Sequence, residues 1–65
     1  MEVVINGKSE AGDFSTVEQM LRERGLDPYL VVVELNGKIL QKQEYATKKL
    51  QDGDTVEIVQ FVAGG

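Results

Sequence analysis

A chain of 65 residues has room for one small domain, and a chain this short buries only about 60% of the surface its unfolded form exposes. It contains no Cys and no His, which removes disulfides, thiolate zinc sites, the usual neutral-pH general base and the strongest nucleophile. Eleven acidic residues against seven basic ones leave a net charge of −4, with no basic stripe to displace counterions from a nucleic acid.

Met1 to Ile5 is short and rich in β-branched residues, as a buried strand is. Asn6-Gly7 follows, and a type I′ hairpin turn needs positive φ at both such positions. A second strand over Lys8 to Ala11 is weakly apolar and suits a sheet edge. A helix is expected from Thr16 to Arg24, with Ser15 as N-cap, Glu18 at the capping-box position and Val17, Met20 and Leu21 on one face. Gly25 suits the left-handed position after that helix, Leu26 completes a Schellman ending against Leu21, and Pro28 prevents continuation.

Leu30 to Leu35 reads as a third strand, and Asn36-Gly37 repeats the hairpin signal before a short fourth strand over Lys38 to Leu40. Gln41 to Leu50 has no clean period and is expected to cover the core irregularly, with a 3₁₀ turn near Gln43 to Tyr45. Tyr45 reads as a core anchor, and Lys38, Lys42, Lys48 and Lys49 as solvated charges. Asp52-Gly53-Asp54 forms a turn, and Thr55 to Val62 is the last strand. The N-terminal residues lack a signal-peptide pattern, and no apolar run approaches the roughly 20 residues that span a bilayer. A soluble cytoplasmic protein is expected.

The order β-β-α-β-β-β predicts an α+β fold of the β-grasp type, one domain over 1–65 with a flexible tail at about 62–65. Its mixed sheet of about five strands would have the first and last strands parallel at the centre and one main helix on one face. Strand alternation points Val56, Ile58 and Val62 to one side of the last strand and Glu57, Val59 and Phe61 to the other. With the last strand between the first and third, Val4, Val32, Val59 and Phe61 would form an apolar docking patch on the uncovered face. A mildly acidic domain of this kind suits a basic partner surface.

Ala63-Gly64-Gly65 follows the last strand, and two residues without side chains make a thin segment able to thread a narrow tunnel in another protein. Val62-Ala63-Gly64-Gly65, the Asp52-Gly53-Asp54 turn and the Asn36-Gly37 hairpin together resemble the ubiquitin-like sulfur carriers, and among them the ThiS family of thiamin biosynthesis. The resemblance covers the whole chain. It implies a carrier and not an enzyme. A ThiF-like adenylating enzyme would use Mg-ATP to activate the Gly65 carboxylate, with Ala63 and Gly64 threading into its site, and the carrier itself would bind no cofactor and no metal. Sulfur from a cysteine desulfurase-derived donor would displace AMP and leave a thiocarboxylate, whose sulfur would pass to thiazole synthase, ThiG. Three alternatives stay open: the small subunit of a molybdopterin synthase, a ubiquitin-like protein modifier, and a β-grasp domain used for binding with an inert tail.

Overall fold

The two Asn-Gly pairs adopt the left-handed backbone of a two-residue hairpin turn, with φ of 50° and 83° at Asn6 and Gly7 and of 51° and 85° at Asn36 and Gly37. The computed structural model describes residues 1–61; Val62, Ala63, Gly64 and Gly65 lie outside the described residues. The first turn joins β1 (Glu2–Ile5) to β2 (Lys8–Ala11), and the second joins β3 (Val31–Leu35) to β4 (Lys38–Ile39). The last strand, β5 (Thr55–Gln60), runs between the hairpins, parallel to β1 and antiparallel to β3. The order β2-β1-β5-β3-β4 is the mixed β-grasp sheet that the element order predicts.

Side chains of the turns do more than permit the bend. The Asn6 Oδ1 accepts from the Ile58 N–H at 2.7 Å, and the Asn36 Oδ1 accepts from the Thr55 N–H at 2.9 Å. Asp52-Gly53-Asp54 sets where β5 begins. The Glu2 N–H donates to Asp52 Oδ1 at 2.7 Å, and the Gly53 N–H, in a residue at φ 87°, donates to the Glu2 carbonyl at 2.7 Å. The Asp54 carboxylate accepts from the Gln51 N–H at 2.8 Å and from the Asn36 amide at 3.0 Å.

Helix α1 (Val17–Glu23) lays Val17, Met20 and Leu21 on the sheet. There they meet Val3 and Ile5 of β1, Val31, Val33 and Leu35 of β3, and Val56 and Ile58 of β5, with Leu40, Tyr45 and Leu50 closing the core. Seven residues make a marginal helix in isolation, and its exposed N–H groups find partners outside it. Val17 donates to the Lys48 carbonyl and Glu18 to the Tyr45 carbonyl, each at 2.9 Å, and Gln19 to the Thr16 hydroxyl at 3.1 Å. The helix ends in the expected Schellman arrangement: Gly25 at φ 75°, the Leu26 N–H on the Leu21 carbonyl at 2.9 Å and the Gly25 N–H on the Arg22 carbonyl at 3.0 Å.

Several local expectations move. The N-cap is Thr16, not Ser15; Ser15 instead donates its backbone N–H to the Gln19 side chain at 2.8 Å, so the glutamine at N3, not Glu18, reaches back over the helix start. Leu30 belongs to a 3₁₀ turn, Pro28–Leu30, capped by the Asp27 carboxylate, because proline presets the φ of a tight turn. The later 3₁₀ turn spans Lys42–Glu44, one residue before the expected place. Leu40 lies beyond β4 but still donates its N–H to the Val33 carbonyl at 2.9 Å.

Asn6→Ala is expected to destabilise the fold by about 2 kcal/mol, from a lost acceptor for the Ile58 N–H plus a left-handed alanine. Asn6→Gly keeps the backbone and loses the acceptor alone, so its cost should be nearer 1 kcal/mol. Urea denaturation of the two variants measures the difference.

Candidate functional site

Alternation along β5 sends Val56 and Ile58 into the core and leaves Glu57, Val59 and Phe61 on the face opposite the helix. Val59 and Phe61 are 56% and 59% exposed, large values for apolar side chains one residue removed from a closed core. Val32 stands directly opposite Val59 in the β3–β5 ladder. One step further, the Phe61 N–H donates to the Leu30 carbonyl at 2.9 Å, which brings Leu30 opposite Phe61. Leu30 is itself 52% exposed. Two cross-strand apolar pairs, Val32–Val59 and Leu30–Phe61, therefore sit at the end of the sheet from which residues 62–65 continue.

Val4 does not join them. It pairs with Thr55, at the opposite end of β5. Four residues of strand separate Thr55 from Val59, about 13 Å at the usual rise, and Glu57 stands between. The strand order expected from the sequence is present, but the parallel register of β1 places Val4 at the far end. Leu30 was not among the expected patch residues. Its signal is the antiparallel register itself, since the residue opposite Phe61 is known only once Val32 is matched to Val59. Ile39, also exposed, faces Glu34 across the β3–β4 pair on the same outward side.

Beside the apolar pairs, Glu34 stands opposite Glu57. Like charges directly across an antiparallel pair are unfavourable, so this pair costs the isolated domain something.

The Leu30 turn is held from behind. Within the turn, the Leu30 N–H donates to the Asp27 carbonyl and the Tyr29 N–H to the Asp27 carboxylate, each at 2.9 Å. The Lys42 ammonium donates to the carbonyls of Pro28, Tyr29 and Val31 at 3.0, 3.2 and 2.6 Å, and lies 5.5 Å from the centroid of the Tyr45 ring. Lys42 is thus a contact residue and not the solvated charge expected of it; the chain reversal after β4 aims it at carbonyls left open by a helical turn. Tyr45 is the buried anchor expected, and its hydroxyl donates to the Val31 carbonyl and accepts from the Val33 N–H, both at 3.2 Å. Lys42 is exposed, as Lys38, Lys48 and Lys49 are, and differs from them in its bonds to the three carbonyls.

Ala63, Gly64 and Gly65, the expected tail and modification site, lie outside the described residues. Among the described residues no group of three or more acidic, His or Cys side chains could hold a metal ion, and no helix is long and apolar enough to cross a membrane.

The model of the ThiS family matches residues 2–65 of the chain. The sulfur carrier protein ThiS of Bacillus subtilis is 38% identical over 63 residues, an alignment covering 94% of this chain and 96% of that carrier. A thiazole synthase of Paramagnetospirillum magneticum is 46% identical over 66 residues, which take in all of this chain but 20% of the synthase, so the chain spans about a fifth of that relative. Among solved structures, the thiamine biosynthesis protein ThiS of Geobacter metallireducens superimposes with a TM-score of 0.84 at 32% identity, over the full length of both chains.

Phe61→Asp is expected to leave unfolding stability within about 0.5 kcal/mol of wild type, as an exposed substitution does. Ile58→Asp, whose side chain points the other way into the core, should unfold the domain by burying an unpaired charge. Circular dichroism and urea melts of the two variants check the assignment of faces.

Proposed function

The chain belongs to the ThiS family, and from that premise we propose that it carries sulfur for thiazole formation in thiamin biosynthesis, on the carboxylate of Gly65. The observation that carries the reading is the match of the family model through Gly65 itself, on a chain whose likeness to a sulfur carrier extends over nearly the whole of both proteins. It is a carrier and not a catalyst, acted on by other enzymes.

The chemistry asks little of the domain beyond presentation. A free carboxylate is a poor electrophile, so a ThiF-like adenylating enzyme spends Mg-ATP to attach AMP to the Gly65 carboxylate as a leaving group. The terminal sulfur of a cysteine desulfurase-derived persulfide attacks the carbonyl carbon and AMP departs. A second thiol then cleaves the S–S bond of the acyl disulfide so formed, which releases the thiocarboxylate and leaves a disulfide on the donor side. The nucleophilic sulfur of the thiocarboxylate is then given up to thiazole synthase. The likeness of the whole chain to one fifth of a thiazole synthase supports that enzyme as the acceptor.

Leu30, Val32, Val59 and Phe61 serve as the docking patch, with Val4 outside it, and the Glu34–Glu57 pair steers a basic partner surface toward them. Gly64 has no side chain and Ala63 only a methyl group to obstruct a tunnel. Four residues after Phe61 reach at most about 14 Å when fully extended. The reacting centre of each partner therefore has to lie within that distance of the surface that receives Phe61.

Incubation with ATP, the adenylating partner and a sulfur donor is expected to raise the intact mass by one sulfur-for-oxygen exchange. Deleting Gly65 should abolish the gain with the fold intact, and Phe61→Asp should slow it. A wild-type protein that gains no mass under these conditions overturns the carrier reading. Retention of the chain by a large molybdopterin-synthase subunit, and not by thiazole synthase, would move it to molybdenum-cofactor synthesis.

A further inference from the structure

We propose that Lys42 is the positioning residue that, through the Leu30 carbonyl, holds Phe61 in place for partner docking. Among the described residues, the last hydrogen bond on this side of the β5 segment is Phe61 N–H to the Leu30 carbonyl, and Leu30 closes a three-residue 3₁₀ turn. Such a turn has poor internal geometry and leaves its carbonyls open. A turn free to loosen would let Leu30 drift, and Phe61 with it.

Lys42 acts on the carbonyls on either side of that acceptor. Its ammonium bonds Pro28 and Tyr29 before Leu30 and Val31 after it, so Leu30 is the residue whose carbonyl is left facing β5. One ammonium with three donors, placed where three carbonyls converge, ties the turn to the start of β3. Tyr45 repeats the tie one residue on, through Val31 and Val33, and its ring lies beside the ammonium. Lys42 touches none of the described docking residues through its own donors; it acts through the Leu30 carbonyl. A docking residue already held in place loses less freedom when a partner takes it up, and that saving appears in the affinity for the carrier.

The first test uses the free protein and does not depend on the carrier reading. Lys42→Met keeps an apolar stem and removes the donors. Amide exchange at Phe61 should then accelerate by about fivefold, the equilibrium factor that one ordinary hydrogen bond carries. The amides of Glu57 and Val59, in the same β3–β5 ladder, should change little, because their opening does not pass through the turn. Lys42→Arg, which restores donors, should recover most of the protection at Phe61. Unchanged exchange at Phe61 in Lys42→Met, or equal acceleration at Glu57, Val59 and Phe61, overturns the proposal, the second outcome by reducing Lys42 to general stability.

The second test rests on the carrier reading. With the adenylating partner, Lys42→Met should raise the KM for the carrier while kcat holds, and Lys42→Arg should bring the KM back. A fall in kcat at unchanged KM would overturn positioning as the role. Failure of wild type to be adenylated would sink the carrier reading, and the exchange measurement would then decide alone on Lys42.

Discussion

Hydrogen bonding along both edges of β5 is the constraint on which the other features rest. On one edge the Val4 N–H meets the Asp54 carbonyl, the Asn6 N–H meets the Val56 carbonyl, and the Asn6 side chain takes the Ile58 N–H. On the other, Asn36 exchanges two bonds with Thr55, and Leu30 takes the N–H of Phe61. A slip of one residue would turn Val56 and Ile58 out to water and Glu57 into the core. The register of β5 is therefore set by burial, and with it the side on which Phe61 stands.

The single helix follows from the same economy. It is two turns long and depends on its surroundings for both packing and caps. The aperiodic stretch after β4 supplies carbonyls from Tyr45 and Lys48 to its first N–H groups. That stretch therefore has a definite task although it carries no hydrophobic period. A helix this short hides one face of the sheet and no more. The other face keeps its apolar pairs, Val32–Val59 and Leu30–Phe61, at the Phe61 end of β5.

At the edge, β4 is only two residues long, and a strand so short leaves part of β3 without a backbone partner. The Tyr45 hydroxyl and the Lys42 ammonium take the positions a longer strand would have filled. Side chains in place of a strand occupy the edge groups that another chain would otherwise pair with.

Local chemistry was legible in the sequence. Asn-Gly at both hairpins, Gly25 after the helix and the alternation of Val56, Glu57, Ile58 and Val59 each express a preference of a few neighbouring residues, and the structure keeps all of them. Those preferences were enough for the element order, the β-grasp sheet and the outward direction of Val59 and Phe61. Relations between distant segments were decided by the tertiary structure. Val4 was expected beside Val59 and stands instead at Thr55, because the register of two parallel strands depends on the turns and bonds around Asp52 and Asp54 and not on alternation. Lys42 looks like any surface lysine until the fold brings three carbonyls to within reach of its ammonium. The sequence alone determined which residues face outward; the packing of the hairpins against β5 decided which of them meet, because register and convergence of backbone groups are properties of the assembled sheet.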